Sequence, residues 1–347
     1  MLLPGIGLSG QQALANAHVA IVGIGALGCG LADALGRAGL GTLTLVDRDT
    51  VEVSNLHRQT LFTQADADAV TPKAIAAQSR LMAINPDLSI HALVEDLTPK
   101  NAARLLGIDS THPPVAILDG TDNFETRYLL NDLAVKFNLP LFYAGVVGTS
   151  GMQATFAAPG PCLRCVFPDP PPQGSAPTCD TAGVLNTVVN IATALQATDL
   201  IRMLTTGEPP RPRLTTFDPW LGLHRITDLA HARNDSCPCC ALRRFDWLDG
   251  PHALRTTLLC GQDSVQIAPS AAARAAANHA TAAPHLQALA ERWSAIGKVH
   301  LTPHLVRGEF AEPKGPVTIT VFADGRAVIG NTREPEEARS LHARYVG

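Results

Sequence analysis

Short apolar runs recur through the first half of the chain, at residues 19–22, 43–46, 89–94, 115–118 and 141–144. Runs of this length fit strands buried on both faces, as in a parallel sheet. Segments with a helical apolar period lie between them, at 26–38, 72–85, 100–106 and 123–138. The alternation predicts an α/β fold, a doubly wound (Rossmann-like), mostly parallel sheet. Strand signals after Gly151 and around 213–217 and 223–226 extend it with antiparallel members. The most apolar helical segment, 182–204, is interrupted by Asn186, Asn190 and Asp199, so it reads as a core or interface helix and not a membrane span.

After Cys240 the pattern changes. A short connector, ALRRFDWLDG, leads to a strand (256–268), an alanine-rich helix (about 270–296), a strand (299–305), a hairpin turning at Ala323-Asp324-Gly325 and a final helix (335–345). Asp-Gly between ITVF and AVIG is a hairpin signal. The expected division is 1–248 as the main domain and 249–347 as a small appended α+β domain.

The first strand runs into Gly23, Gly25 and Gly28, a G-x-G-x-x-G turn opening a helix. Such glycines let a phosphate approach the backbone and meet the amides of a helix start. The second strand ends in Asp47, where a carboxylate can accept ribose hydroxyls. A nicotinamide or flavin protein looks the same up to this point. Arg58, Lys73 at a helix start, and Asp122 after an apolar strand then depart from that pattern. Two cations and a carboxylate suit a triphosphate with magnesium on Asp122.

Eight cysteines include two hooks, Cys162-Leu163-Arg164-Cys165 and Cys237-Pro238-Cys239-Cys240. Their spacing predicts a closed structural zinc site. The intervals favour Cys162, Cys165, Cys237 and Cys240, with Cys239 spare. Cys29 and Cys260 read as packing residues, and the twelve histidines show no ligand spacing.

The elements VGIGALG, LTLVDRDTVEVSNLHRQ, TPK, LDGTDNFETR, PLFYAGVVGTSGMQATF, the cysteine hooks and TCDTAGV follow in order from Leu3 to Cys240. In these the chain resembles the ThiF/MoeB/HesA family, bacterial relatives of ubiquitin-activating enzymes. The resemblance implies an ATP-dependent adenylyltransferase acting on the C-terminal glycine of a ubiquitin-like sulfur carrier with a Gly-Gly tail, ThiS- or MoaD-like. The pathway implied is thiamine or molybdopterin biosynthesis; Cys179 and the appended domain favour the thiamine type. A homodimer and a sulfur donor such as a cysteine desulfurase are further expectations. The alternatives are activation for a ubiquitin-like conjugation or peptide-modification pathway, or a NAD-binding protein.

The resemblance places Gly23, Gly25, Gly28, Asp47, Asp49, Ser54, Asn55, Arg58, Gln59, Lys73, Asp122 and Asn123 around the nucleotide, with Arg58, Lys73 and Asp122 catalytic. Asp49 alternatively caps a turn, and Arg127 alternatively pairs with a carboxylate on a solvated face. Residues 166–179, rich in proline, read as a crossover segment ending at Cys179, just before a helix. A thiol near a helix start gains thiolate character, and the family's TC-x-x-AGV cysteine is the residue proposed to bond to the activated carrier. The family commonly carries an arginine-bearing RY-x-RQ segment ahead of LLPGIG. That expectation puts the natural start upstream of Met1 and leaves the present chain dimeric but catalytically weakened.

Composition adds little against this. The 347 residues are 46% apolar, with a formal charge of −4, enough to bury a large core. No basic field suited to nucleic acid and no charged signal region at the N-terminus are visible, so the expectation is a cytoplasmic protein engaging neither nucleic acid nor membrane.

Overall fold

A computed structural model describes residues 3, 5–171, 182–250, 264–267 and 279–346. The chain divides into two compact units, Met1–Leu254 and Arg255–Gly347.

In the first unit, eight strands form one sheet: β1 (His18–Val22), β2 (Thr42–Val46), β3 (Ser89–Leu93), β4 (Ala116–Asp119), β5 (Leu141–Val147), β6 (Ser150–Phe156), β7 (Arg213–Asp218) and β8 (Leu223–Asp228). Their order is β3-β2-β1-β4-β5-β6-β7-β8. The pairs from β3 to β5 are parallel, and those from β5 to β8 antiparallel. Every residue of β1 is buried, because helices cover both faces and successive side chains enter opposite cores.

Val19 and Ile21 join one core with Leu31, Leu35, Leu81 and Leu200. Helices α1 (Gly7–Asn16), α2 (Ala26–Arg37) and α4 (Lys73–Ile84) supply that face. Ala20 and Val22 join the other core with Leu105, Leu130 and Leu133, on α5 (Ala102–Leu105) and α6 (Phe124–Phe137). Two short helices, α3 (Gln64–Asp68) and α7 (Leu163–Val166), and the long α8 (Asn186–Thr206) complete the unit. Helix α3, not anticipated from the apolar period, is secured by a capping box between Thr63 and Asp66. Among the described residues no helix is long and apolar enough to cross a membrane. Asp199, which interrupts the apolar pattern of α8, is buried and accepts hydrogen bonds from Arg213 at 3.1 Å and Gln153 at 3.2 Å.

The second unit contains β9 (Ser264–Ile267), α9 (His279–Ser294), β10 (Lys298–Leu301), β11 (Leu305–Glu312), β12 (Gly315–Phe322), β13 (Ala327–Gly330) and α10 (Pro335–Tyr345). The strands form an antiparallel sheet in the order β10-β11-β12-β13-β9. Trp293 is fully buried, edge-on to Phe310 at 5.3 Å between centroids. The expected strand 299–305 is instead two strands. The Thr302 hydroxyl accepts the amides of His304 and Leu305, and this local turn outcompetes continued extension. The Ala323-Asp324-Gly325 hairpin is present, with Gly325 at φ 82° in the left-handed region.

Candidate functional site

Strand order reverses beside β1, since β2 and β3 lie to one side and β4 to the other. In open α/β sheets the crevice at the carboxyl ends of the strands at such a reversal receives ligands. Gly23 follows β1 there with φ 83°, and its amide donates to Val46 O at 2.8 Å. A Cβ on Gly28 would lie 1.9 Å from Gly23 O, and one on Gly120, just after β4, 2.3 Å from the same oxygen. These glycines let turn, helix and strand touch. Gly25 differs: a Cβ there meets nothing nearer than Gln59 Nε2 at 3.8 Å. Protein packing gives no reason for its missing side chain, whereas a phosphate lying against the start of α2 does.

Around this turn the structure gathers several expected side chains. Asp47 is buried, its two oxygens accepting the amides of Ile24 at 2.6 Å and Asp49 at 2.7 Å. Burial pushes its carboxyl upward; Lys73 opposes this and the nearby Asp49 adds to it. Asp49 caps nothing. Its carboxylate pairs with Lys73 Nζ at 3.2 Å, and its carbonyl accepts the Lys73 amide at 2.9 Å. Lys73 opens α4 and is itself buried. Burial alone would lower its pKa, but Asp49 and Asp47, joined by Asp122, outweigh it and hold the lysine above its ordinary range. A fixed, charged ammonium therefore stands beside the glycine turn.

The next loop carries the 3₁₀ turn Val53–Asn55. Arg58 donates to Asn55 Oδ1 at 2.7 Å and reaches the Ser54 carbonyl at 3.4 Å, so Asn55, buried, orients the guanidinium. The Ser54 side chain is exposed and 3.4 Å from Glu52. Gln59 is 4% exposed, and among the described residues its Oε1 has no hydrogen-bond partner. A buried amide oxygen left open beside Gly25 suits a ligand donor.

Asp122 is exposed on the loop after β4, and its carboxylate accepts no hydrogen bond among the described residues. Its charge registers at both Lys73 and Asp119. Asn123 is the N-cap of α6, accepting the Glu125 amide at 2.8 Å. Arg127 is not on a solvated face. It is 7% exposed and pairs with buried Asp119 at 3.2 Å. Helix α6 packs this side against the sheet, a relation that sequence reading missed. The carboxylate closing the apolar run of β4 was the available signal.

Elsewhere the thiols of Cys162, Cys165, Cys237 and Cys240 lie within 4.8 Å of one another. Three of the sulfur–sulfur distances are 3.4, 3.6 and 3.9 Å, near the ~3.8 Å edge of a thiolate tetrahedron around zinc at ~2.3 Å. Cys239, inside the second hook, is outside this set of four; its Sγ accepts Asn131 Nδ2 at 3.3 Å and also lies against the Cys162 thiol. Asn131 also accepts the Leu163 amide at 2.9 Å, so one α6 side chain binds both hooks. Cys29 is buried in the main core. Cys179 and Cys260 lie outside the described residues.

The fold and its glycine turn define a Rossmann-like α/β protein with an anion-receptive switch point. The chain belongs to the ThiF family, which matches residues 1–239. It is 38% identical to a sulfur carrier protein ThiS adenylyltransferase of Bacillus subtilis (strain 168), over 99% of this chain and 96% of that one. It is 39% identical to the enzyme of the same name from Escherichia coli K12, over 69% of this chain and 92% of that one. The Bacillus match includes the second unit, since it covers nearly the whole chain. Among solved structures, E. coli MccB with ATP superposes with a TM-score of 0.56 at 20% identity, covering 67% of this chain and 69% of that one. At that identity the likeness is one of fold.

Proposed function

We propose that this chain is an ATP-dependent adenylyltransferase that activates the C-terminal glycine carboxylate of a ubiquitin-like sulfur carrier, ThiS- or MoaD-like. The observation that carries it is a buried, charged Lys73 fixed by Asp49 at a glycine turn, in a chain 38% identical to a ThiS adenylyltransferase over nearly its full length.

In this reading the carrier carboxylate attacks the α-phosphorus of ATP. The bond from that phosphorus to the bridging oxygen breaks, and pyrophosphate departs with the electron pair. The nucleophile is already an anion, so no general base is needed. Lys73 and Arg58 neutralise phosphate oxygens, and their ties to Asp49 and Asn55 hold them in place before substrate arrives. Asp47 receives the ribose with lone pairs left over after its two backbone bonds, and Gln59 Oε1 accepts a nucleotide donor. Asp122, open to solvent, would hold magnesium, which when bound neutralises charge on the triphosphate. Cys162, Cys165, Cys237 and Cys240 would hold zinc as a closed structural site.

Cys179 as a covalent way-station, a sulfur donor such as a cysteine desulfurase, homodimeric assembly, a cytoplasmic setting, and carrier recruitment by the second unit complete the reading. The expected boundary at 248/249, six residues before the 254/255 division between the compact units, makes the second unit an addition to the adenylation core. The test is carrier-dependent exchange of labelled pyrophosphate into ATP. Wild-type protein should exchange, and Asp122→Asn and Arg58→Ala should lose most of it. Near-normal exchange by Asp122→Asn would remove the magnesium assignment, and no exchange by wild type with any Gly-Gly-tailed carrier would remove the function.

A further inference from the structure

The sheet forks immediately below the site. Strand β4 stays paired with β1 through Val22↔Asp119, whereas its pairing with β5 consists of Ile117↔Leu141 and Leu118↔Phe142. Beyond that level, side chains bridge the two strands. Gln196 donates to Phe142 O at 3.0 Å and Asp119 O at 3.3 Å. Arg127 fills the fork above it. Its Nη2 donates to Thr121 O at 2.6 Å and Ala144 O at 3.2 Å, and its Nε lies 3.2 Å from Asp119 Oδ2. The rings of Phe124 and Tyr143 flank the guanidinium, 5.4 and 5.2 Å away. Asp119 Oδ1 accepts both the amide and the hydroxyl of Thr121, at 2.8 and 2.7 Å.

Thr121 is thus gripped at its amide, hydroxyl and carbonyl, and the next residue is Asp122. These three ties fix the backbone that leads into Asp122. Burying an arginine and an aspartate has a desolvation cost that a hydrophobic pair of similar volume avoids. What the pair supplies is a fixed backbone under an exposed carboxylate. We propose that Arg127 is a positioning residue for nucleotide activation: by spanning the β4–β5 fork and holding the Thr121 carbonyl, it sets where Asp122 presents its carboxylate. This rests on the reading of Asp122 as the magnesium-bearing group. Lysine is a poor replacement here, since a single ammonium cannot hold two carbonyls with one nitrogen while a second nitrogen faces the carboxylate, as the guanidinium does.

Three variants test it: Arg127→Met, Thr121→Val and the charge-neutral pair Asp119→Asn/Arg127→Met. Each is measured for melting temperature, for magnesium dependence of pyrophosphate exchange, and by calorimetric titration with a non-hydrolysable ATP analogue with and without magnesium. Groups that orient a metal ligand cost roughly 10- to 100-fold when lost. Arg127→Met should lower exchange kcat by about that factor and raise the half-saturating magnesium concentration. Its analogue affinity without magnesium should stay within about threefold of wild type, with the magnesium-dependent gain lost. The paired variant should recover the melting temperature, because no charge is left buried alone, but not kcat. Thr121→Val should show a smaller shift in the same direction. Recovery of both stability and kcat in the paired variant would make the ion pair purely structural and overturn the proposal. So would unchanged magnesium dependence in folded Arg127→Met. If Arg127→Met does not fold, wild-type behaviour of Thr121→Val and the paired variant overturns it. Absence of exchange in wild type is a different failure, that of the underlying function.

Discussion

Two glycines of one motif should fail in opposite ways when each is replaced by alanine. At Gly28 the added methyl would stand 1.9 Å from Gly23 O. Real contacts of this kind stay beyond 3.0 Å, so α2 and the Gly23 turn must separate by roughly 1 Å, in a region where Leu31, Leu35 and Ile24 are completely buried. Overpacking of a dense core typically costs about 1–3 kcal/mol, and backbone against backbone has no rotamer to relieve it, so the upper end is expected. Gly28→Ala should therefore lose about 3 kcal/mol of stability. At Gly25 the methyl meets nothing within 3.5 Å; the stability change should stay within about 1 kcal/mol, the usual cost of alanine at an N-cap. The same methyl lies where a phosphate would meet the helix start. Displacing it should weaken ATP binding at least tenfold, about 1.4 kcal/mol. Urea denaturation gives the first quantity and calorimetric titration with an ATP analogue the second. Wild-type affinity in Gly25→Ala would refute the placement of the nucleotide, and wild-type stability in Gly28→Ala would refute the packing account.

Three further outcomes follow from the geometry. Purified protein should contain one zinc per chain; Cys237→Ser should lose the metal and about 3 kcal/mol or more of stability, whereas Cys239→Ser should keep it, and the reverse result by metal analysis would exchange the ligands. Buried His18 bonds His112 O at 2.7 Å and Thr44 Oγ1 at 2.8 Å. Its pKa is lowered, chiefly by burial and further by the neighbouring charges of His112 and His91. Its contribution to stability is therefore intact above about pH 6.5 and is lost as pH falls toward the lower folded value, at up to about 1.4 kcal/mol per pH unit. His18→Gln should flatten the melting temperature between pH 7 and 5, and an unchanged slope would assign the acid sensitivity to other groups. If Cys179 is a covalent way-station, enzyme, ATP and carrier should give a thiol-sensitive adduct by non-reducing intact mass spectrometry. Cys179→Ser should abolish the adduct while exchange persists; an adduct surviving the substitution would place the nucleophile elsewhere.

Much of the first unit was legible from local pattern. A four-residue apolar run such as Val19–Ala20–Ile21–Val22 has few options besides a strand covered on both faces, and β1 is buried throughout. The turn at Gly23 needs a positive φ that glycine adopts without strain. The paired C-x-x-C spacing of the two cysteine hooks likewise matches the four thiols that meet in the structure. The second unit was less legible. Residues 299–305 read as one strand because Val299, Leu301, Pro303 and Leu305 keep a period of two, yet the Thr302 hydroxyl captures two amides and breaks it.

What the sequence by itself determined is therefore the local part: which segments are strands and helices, where the backbone turns on glycine, and which residue types are available for phosphate and metal. These depend on φ/ψ preferences and on apolar periodicity, both readable within a dozen residues. Only the tertiary structure decided which charges meet. Lys73 reads as a helix-opening lysine until Asp49, 24 positions earlier, pairs with it in a buried setting. Arg127 reads as a surface arginine until α6 docks on the sheet and places it between Asp119 and Ala144. Cys239 and Cys240 differ by one position, and Asn131, 108 residues from Cys239, distinguishes them. A buried charge or thiol takes its role from the partner that compensates its desolvation, and that partner is fixed by how distant elements pack.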